Sequence, residues 1–245
     1  MKTDAAIPNI DMNTRDLFER SVIPFVCKQM QASRFDEAIA TIDNFYRLNG
    51  NKDCQGRLKY KSDAWKALIL EEQGKYAEAL VLYKSTYQSL QQNDDLYVHK
   101  RLSIIKLLHK LEKDREAIAE IDTILKLELD ISVFELLALF NCYVDCLESS
   151  NKIFPQKYLK LVARIAKEFA PKFDLNYLET HNINLAIKQM VQRNRGANRA
   201  YSLLLIQLDE VEREEQIYLL RNYLSTAKID FYRQMAIAQL KQIES

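Results

Sequence analysis

Apolar residues along this chain recur at three- and four-residue spacings and not in alternation. Between Ala64 and Tyr87, one stripe is formed by Ala64, Ala67, Leu68 and Leu70 and a second by Tyr76, Ala79, Leu80 and Tyr83. The stretch is therefore predicted to fold as two amphipathic helices that reverse at Gly74. Glycine adopts the left-handed, helix-ending conformation without steric cost, which suits it to that turn. Ala79 is small where the two backbones of such a hairpin approach most closely.

The pattern occurs three times. Phe35-Asp36-Glu37-Ala38-Ile39 is followed by Ile42 and Phe45, Tyr76-Ala77-Glu78-Ala79-Leu80 by Tyr83, and Asp114-Arg115-Glu116-Ala117-Ile118 by Ile121 and Ile124. The alanines Ala38, Ala79 and Ala117 stand at a near-constant interval. A period of about 40 residues predicts a stacked array of helical hairpins. Gly74-Lys75-Tyr76-Ala77-Glu78-Ala79-Leu80 with Tyr83 resembles the turn and second helix of a tetratricopeptide repeat, a 34-residue helix-turn-helix unit. The resemblance covers about residues 20–130. Both alanine intervals are longer than the family's repeat, no proline closes a repeat, and the small residue of the first helix, kept as Ala67, is Val26 and Ile105 in the other two units. The family implies an all-α, right-handed superhelix.

Elsewhere the pattern is less regular. Residues 1–12 read as a leader within an N-terminal segment 1–19, with Asn13 or Thr14 capping a short helix that carries Leu17, Phe18 and Ile23. Pro24 either kinks that helix or starts another. Asn49 to Gly56 reads as a loop between repeats. Residues 131–245 read as a degenerate repeat followed by capping helices, continuing the repeats as one solenoid. Val133–Leu147 and Pro155–Phe169 form a fourth hairpin, Pro171 stops it, and Asp174 caps a helix over Leu175–Val191 that carries Leu178, Ile183, Leu185, Ile187 and Met190. Gly196 is expected to break the chain, a further hairpin to begin at Ala200, and a terminal helix to lie around Phe231–Ile243.

Composition agrees with an all-α protein: 48% of 245 residues are apolar, 28% are charged, and there are only 4 Gly and 4 Pro. The net charge of +1 provides no global field for nucleic acid or anionic lipid. The N-terminus has no apolar signal-like core, and the run Val133–Val144 is too short to span a bilayer. Four cysteines in a chain of this length fit reduced thiols, so a cytoplasmic location is expected.

The residues that could carry chemistry are dispersed. His99 and His109 are ten residues apart, about 15 Å along one helix, and cannot share a metal; His181 is the third histidine. Cys142 and Cys146 share a face but sit among Phe140, Tyr143, Val144 and Leu147, which favours a core role. Gly50, Gly56, Gly74 and Gly196 are too scattered for a phosphate loop. Glu71-Glu72 and Glu214-Glu215 are adjacent pairs that do not face one another on a helix and read as exposed surface. Arg193, Arg195 and Arg199 are followed by the acidic run Asp209, Glu210, Glu212, Glu214 and Glu215, placed on the next helix, which could neutralise them. No enzyme, cofactor or metal site is expected.

The family resemblance implies that the first helix of each unit lines a concave face that binds a partner. By pattern that face includes Arg20, Cys27, Met30, Lys61, Leu68, Glu72, His99, Leu102, Lys106, His109 and Lys110. Its basic residues favour an acidic protein segment. The Hsp70/Hsp90-binding subtype clamps a carboxylate with asparagine and basic residues where Cys27, His99 and Ser103 stand here, so that specificity is not expected. The resulting expectation is a non-catalytic adaptor or chaperone. One alternative is a bacterial immunity protein or other stoichiometric inhibitor; another is an enzyme or sensor with a pocket between the repeats and residues 171–245.

Overall fold

Ala38, Ala79 and Ala117 have no exposed surface, and each stands near the start of the second helix of a hairpin. The computed structural model describes residues 17–52, 57–87, 97–127, 129–170 and 183–244, and among them there is no strand. Eleven α-helices are described, in order: α1 (Ile23–Gln31), α2 (Phe35–Asn49), α3 (Arg57–Glu72), α4 (Tyr76–Tyr87), α5 (Tyr97–Lys110), α6 (Asp114–Lys126), α7 (Val133–Ser149), α8 (Leu159–Phe169), α9 (Ile183–Asp209), α10 (Arg213–Thr226) and α11 (Asp230–Glu244). The chain divides into two compact units, Met1–Ala117 and Ile118–Ser245. In each unit the helices pack in neighbouring pairs. None of those described is long and apolar enough to cross a membrane. The expected leader, the caps Asn13 and Thr14, the end of the 49–56 loop, Pro171, Asp174, Leu178 and His181 lie outside the described residues.

Three turns are copies of one another in their backbone bonding. Ser33, Gly74 and Glu112 are left-handed, with φ of 56°, 76° and 58°. Their N–H groups donate three residues back, to the carbonyls of Met30, Glu71 and His109; the next N–H groups, of Arg34, Lys75 and Lys113, donate five back, to Gln29, Leu70 and Leu108. This pair of bonds satisfies carbonyls that a helix end leaves open. The carbonyls of Arg34, Lys75 and Lys113 then accept from the N–H of Ala38, Ala79 and Ala117, which starts the second helix. The period in sequence is therefore also a period in hydrogen bonding. Asn151, with φ of 51°, ends α7 in the same way through Glu148 and Leu147. There the chain runs on without helix to Pro155 before a short 3-10 turn, Gln156–Tyr158, so the fourth hairpin has a longer link.

Packing in the first unit follows the repeat. Val26, Ala67 and Ile105 occupy equivalent places in α1, α3 and α5, and all are fully buried. Phe18, Val26, Ala38, Ile42, Leu58 and Ile69 form one core cluster. In α3 the buried apolar residues are Leu58, Ala67 and Ile69, whereas Leu68 and Leu70 are half-buried. The single stripe expected there is broader because both α2 and α4 cover α3. Pro24 stands in the first turn of α1, which starts at Ile23 directly after a π turn, Phe18–Val22. The N–H of Ile23 donates to the carbonyl of Phe18, and this wider turn accommodates a proline that has no donor to offer the preceding turn.

In the second unit α7 begins with a capping box, in which Ser132 Oγ accepts from the Glu135 N–H and the Glu135 carboxylate accepts from the Ser132 N–H. Cys142 and Cys146 are buried within α7. Asp122 ties the fourth hairpin to α6: Tyr143 and Tyr158 both donate to its Oδ1, at 3.2 and 2.7 Å, and Lys157 Nζ lies 3.5 Å from its Oδ2. The Phe134 ring meets the rings of Phe169, Phe231 and Tyr232. Glu168 caps the start of α11 by accepting from the Phe231 N–H at 3.0 Å.

Contrary to the expectation from sequence, Gly196 does not break the chain and no hairpin begins at Ala200; both sit inside the 27-residue helix α9. Met190, Asn194, Ala197, Tyr201, Leu204 and Leu208 keep one three-and-four phase through it, and buried residues anchor both halves on the same side. That anchoring outweighs the roughly 1 kcal/mol a helical glycine costs. Arg193, Arg195 and Arg199 thus lie on a helix surface, where Arg193 donates to the Phe169 carbonyl at 3.4 Å. The acidic run is spread over the turn from Asp209 to the first residues of α10, where carboxylates complement the helix dipole.

Candidate functional site

Helix α5 is buried almost all round. One stripe faces solvent, made of exposed His99, Lys106 and Lys110 with half-buried Ser103 between them, spaced by four, three and four residues. The helix contains no Asp or Glu. One repeat earlier, counted from Ala117 back to Ala79, the same stripe on α3 is Lys61, Trp65, Leu68 and Glu72. Another repeat earlier, from Ala79 back to Ala38, it is Arg20, Pro24, Cys27 and Gln31. Side chains join the first helices to one another. Lys61 pairs with Glu19, Lys110 Nζ lies 2.9 Å from Glu71 Oε1, and the buried Lys100 places its ammonium 4.6 Å from the centre of the Tyr60 ring.

Charge is partitioned between the two kinds of helix. Helix α1 has one cation and no acid, α3 four cations and three acids, and α5 four cations and no acid. Helix α2 has one cation and three acids, α4 one of each, and α6 two cations and four acids. The first helices therefore carry a net +6 and the second helices a net −4, in a chain whose total is +1.

Apart from Leu68 and Cys27, which are half-buried on the stripe, the expected site residues separate into three groups. His99 and Lys106 are exposed on the α5 stripe, and Glu72 and Arg20 are exposed at equivalent places on their own segments. Lys61 and Lys110 are on the stripe too, but each has an acid partner inside the unit, Glu19 and Glu71. Glu71 is accordingly half-buried and paired, a correction to its reading as open surface beside Glu72. Leu102 and Met30 are turned away, and half-buried His109 is tied to the turn that follows α5. Leu102 is only 5% exposed, since it lies about 60° around the helix from His99 and faces the core. Met30 packs against the Phe18 cluster. His109 Nδ1 is 2.6 Å from Asp114 Oδ1 across the Glu112 turn.

Trp65, the chain's one tryptophan, lies on the stripe as well. It is half-buried, with one side against the core cluster and its place in the stripe beside Leu68. The spacing from His99 back to Lys61 leads to it, since Ser103 and Trp65 are equivalent positions. Behind the stripe, burial raises the hydroxyl pKa values of Tyr83 and Tyr87 well above the usual phenol range, helped by Tyr87 and Glu71 for the former and by Tyr60 for the latter. Both phenols are buried in the packing behind the stripe. The surface offers an aromatic and aliphatic centre, Trp65 and Leu68, bordered by cations; it can hold a chain by contact and charge. No protein-family model matches this chain, and no curated protein or solved structure gives a significant match to it.

Proposed function

We propose that the chain is a non-catalytic protein-binding module, an adaptor or chaperone, and that it takes an acidic segment of a partner along the stripe of its first helices. The observation that carries this reading is the α5 stripe, which presents His99, Lys106 and Lys110 from a helix without a single acid, in line with the chain's only tryptophan one repeat earlier. Tryptophan is enriched among interface residues that dominate binding, and cation-lined surfaces favour acidic partners. The threefold identity of the turns supports a tetratricopeptide-like superhelix as the finer architecture. Buried Cys142 and Cys146 are in keeping with a reducing, cytoplasmic setting.

Capture of partners from native lysate by the tagged full chain, with crosslink mapping, tests this reading. Crosslinks should fall on Lys106 and Lys110, and the Trp65 fluorescence should change when the captured protein is added. Charge reversal by K106E and K110E should weaken capture and flatten its salt dependence. Undiminished binding at low salt by the K106E/K110E chain would remove the acidic-partner reading, and a partner crosslinked only to the second helices would remove the site.

A further inference from the structure

Helix α9 has an unpartnered face of its own. Tyr201, Leu204 and Leu208 point into the second unit and are buried. On the opposite side Arg199, Leu203, Ile206 and the adjoining Glu210 form one exposed stripe, again at spacings of four, three and four. Leu203 and Ile206 are 51% and 57% exposed, large apolar side chains left half open among the described residues. Arg199 and Glu210 take part in none of the described ion pairs.

The order of these residues has a symmetry. Leu203 and Ile206 lie equally far on either side of the point between Leu204 and Leu205, and so do Arg199 and Glu210, and so do exposed Ser202 and Gln207. If two such helices cross antiparallel at that point, each Leu203 meets the other chain's Ile206. Each arginine meets the other's glutamate, about 8 Å along the axis from the centre at about 1.5 Å per residue. A twofold contact requires a patch complementary to itself, with residue i meeting j and j meeting i, and this stripe satisfies that condition. We infer that the occupant of this face is a second copy of the chain, giving an antiparallel α9–α9 dimer with two Arg199–Glu210 pairs around a Leu203–Ile206 centre. A single helix-on-helix contact belongs to the small, reversible class of interfaces.

Sedimentation equilibrium of the full chain over about 1–300 µM brackets the micromolar association expected of such a contact. The average mass should rise from 28.7 kDa towards twice that value. R199E alone and E210R alone should each stay at the lower mass, because like charges then face each other at both ends. An equimolar mixture of R199E and E210R chains should recover the doubled mass, and L203E should abolish it in every combination. All the altered positions are exposed, so circular dichroism and melting temperature should be unchanged. A monomer throughout the range, association untouched by R199E, or a mixture that fails to associate would each overturn the dimer.

Discussion

Lys110 on α5 holds its ammonium 2.9 Å from the carboxylate of Glu71 on α3, and 4.7 Å from the centre of the Tyr76 ring on α4. Three helices meet at that one cation, and the acid that holds it also competes with any acidic partner for it. E71Q should lower stability by no more than about 1 kcal/mol, since Lys110 is partly solvated. It should strengthen binding of an acidic partner captured by the unaltered chain. Calorimetric titration against the unaltered chain measures the gain; equal or weaker binding would mean that Lys110 does not contact the ligand.

Ala79 has no exposed surface and belongs to the paired helices α3 and α4. A79L should overpack that crossing and cost about 1–3 kcal/mol in a denaturant titration. An unchanged unfolding midpoint would refute the packing role.

The left-handed turn residues rank in a definite order. Gly74 adopts φ of 76° at no cost, whereas Glu112 is held at 58°. An L-residue there bears a penalty of roughly 1–2 kcal/mol. G74A should therefore destabilise by about 1 kcal/mol and E112G should stabilise by up to about the same, while N151G should change little because asparagine tolerates this region. Melting temperatures of the three variants give the ranking directly.

Gly196 is in mid-helix, and a Cβ there would meet nothing within 4 Å. G196A should add about 0.5–1 kcal/mol by helix propensity alone. A loss of stability would show that the helix is interrupted at this point in solution.

Burial raises the pKa values of Tyr83, Tyr87, Tyr143 and Tyr158, and Asp122 adds to the effect on the last two. In the unfolded chain these phenols ionise near pH 10. The folded state keeps its protons to higher pH, so the stabilisation is complete below about pH 10 and is lost as pH rises above it. Thermal melts from about pH 8 upward should stay level and then fall steeply beyond about pH 10. Replacing Asp122 with alanine would leave two phenols without their acceptor and should cost about 1–3 kcal/mol at neutral pH.

The hairpins are legible in the sequence because each is a local feature: a small alanine, an apolar triad at helical spacing, and a reversal. Ser33 and Glu112 are not legible as left-handed residues because their conformation is imposed by the hydrogen bonds of the turn and not by their own preference. Gly196 misleads for the opposite reason, since its local preference yields to anchoring on both sides by Met190 and Tyr201. The candidate stripe is legible as far as the repeat interval extends, which places His99, Lys106, Lys61 and Glu72 on it. Its internal pairings are not, for Glu19 and Glu71 reach their lysines across helices at positions no periodicity specifies. Leu102 shows the limit of placing residues by spacing alone, because less than a quarter turn around α5 separates it, a core residue, from His99 on the surface.

The separation of charge between first and second helices bears on kinetics. Where positive first helices and negative second helices face different directions, a nearly neutral molecule experiences a torque in the field of a charged partner before contact. An acidic partner would turn the first helices towards itself during approach, so that a larger share of collisions arrive in the right orientation. The gain would appear in the association rate and vanish with added salt, leaving the dissociation rate nearly unchanged.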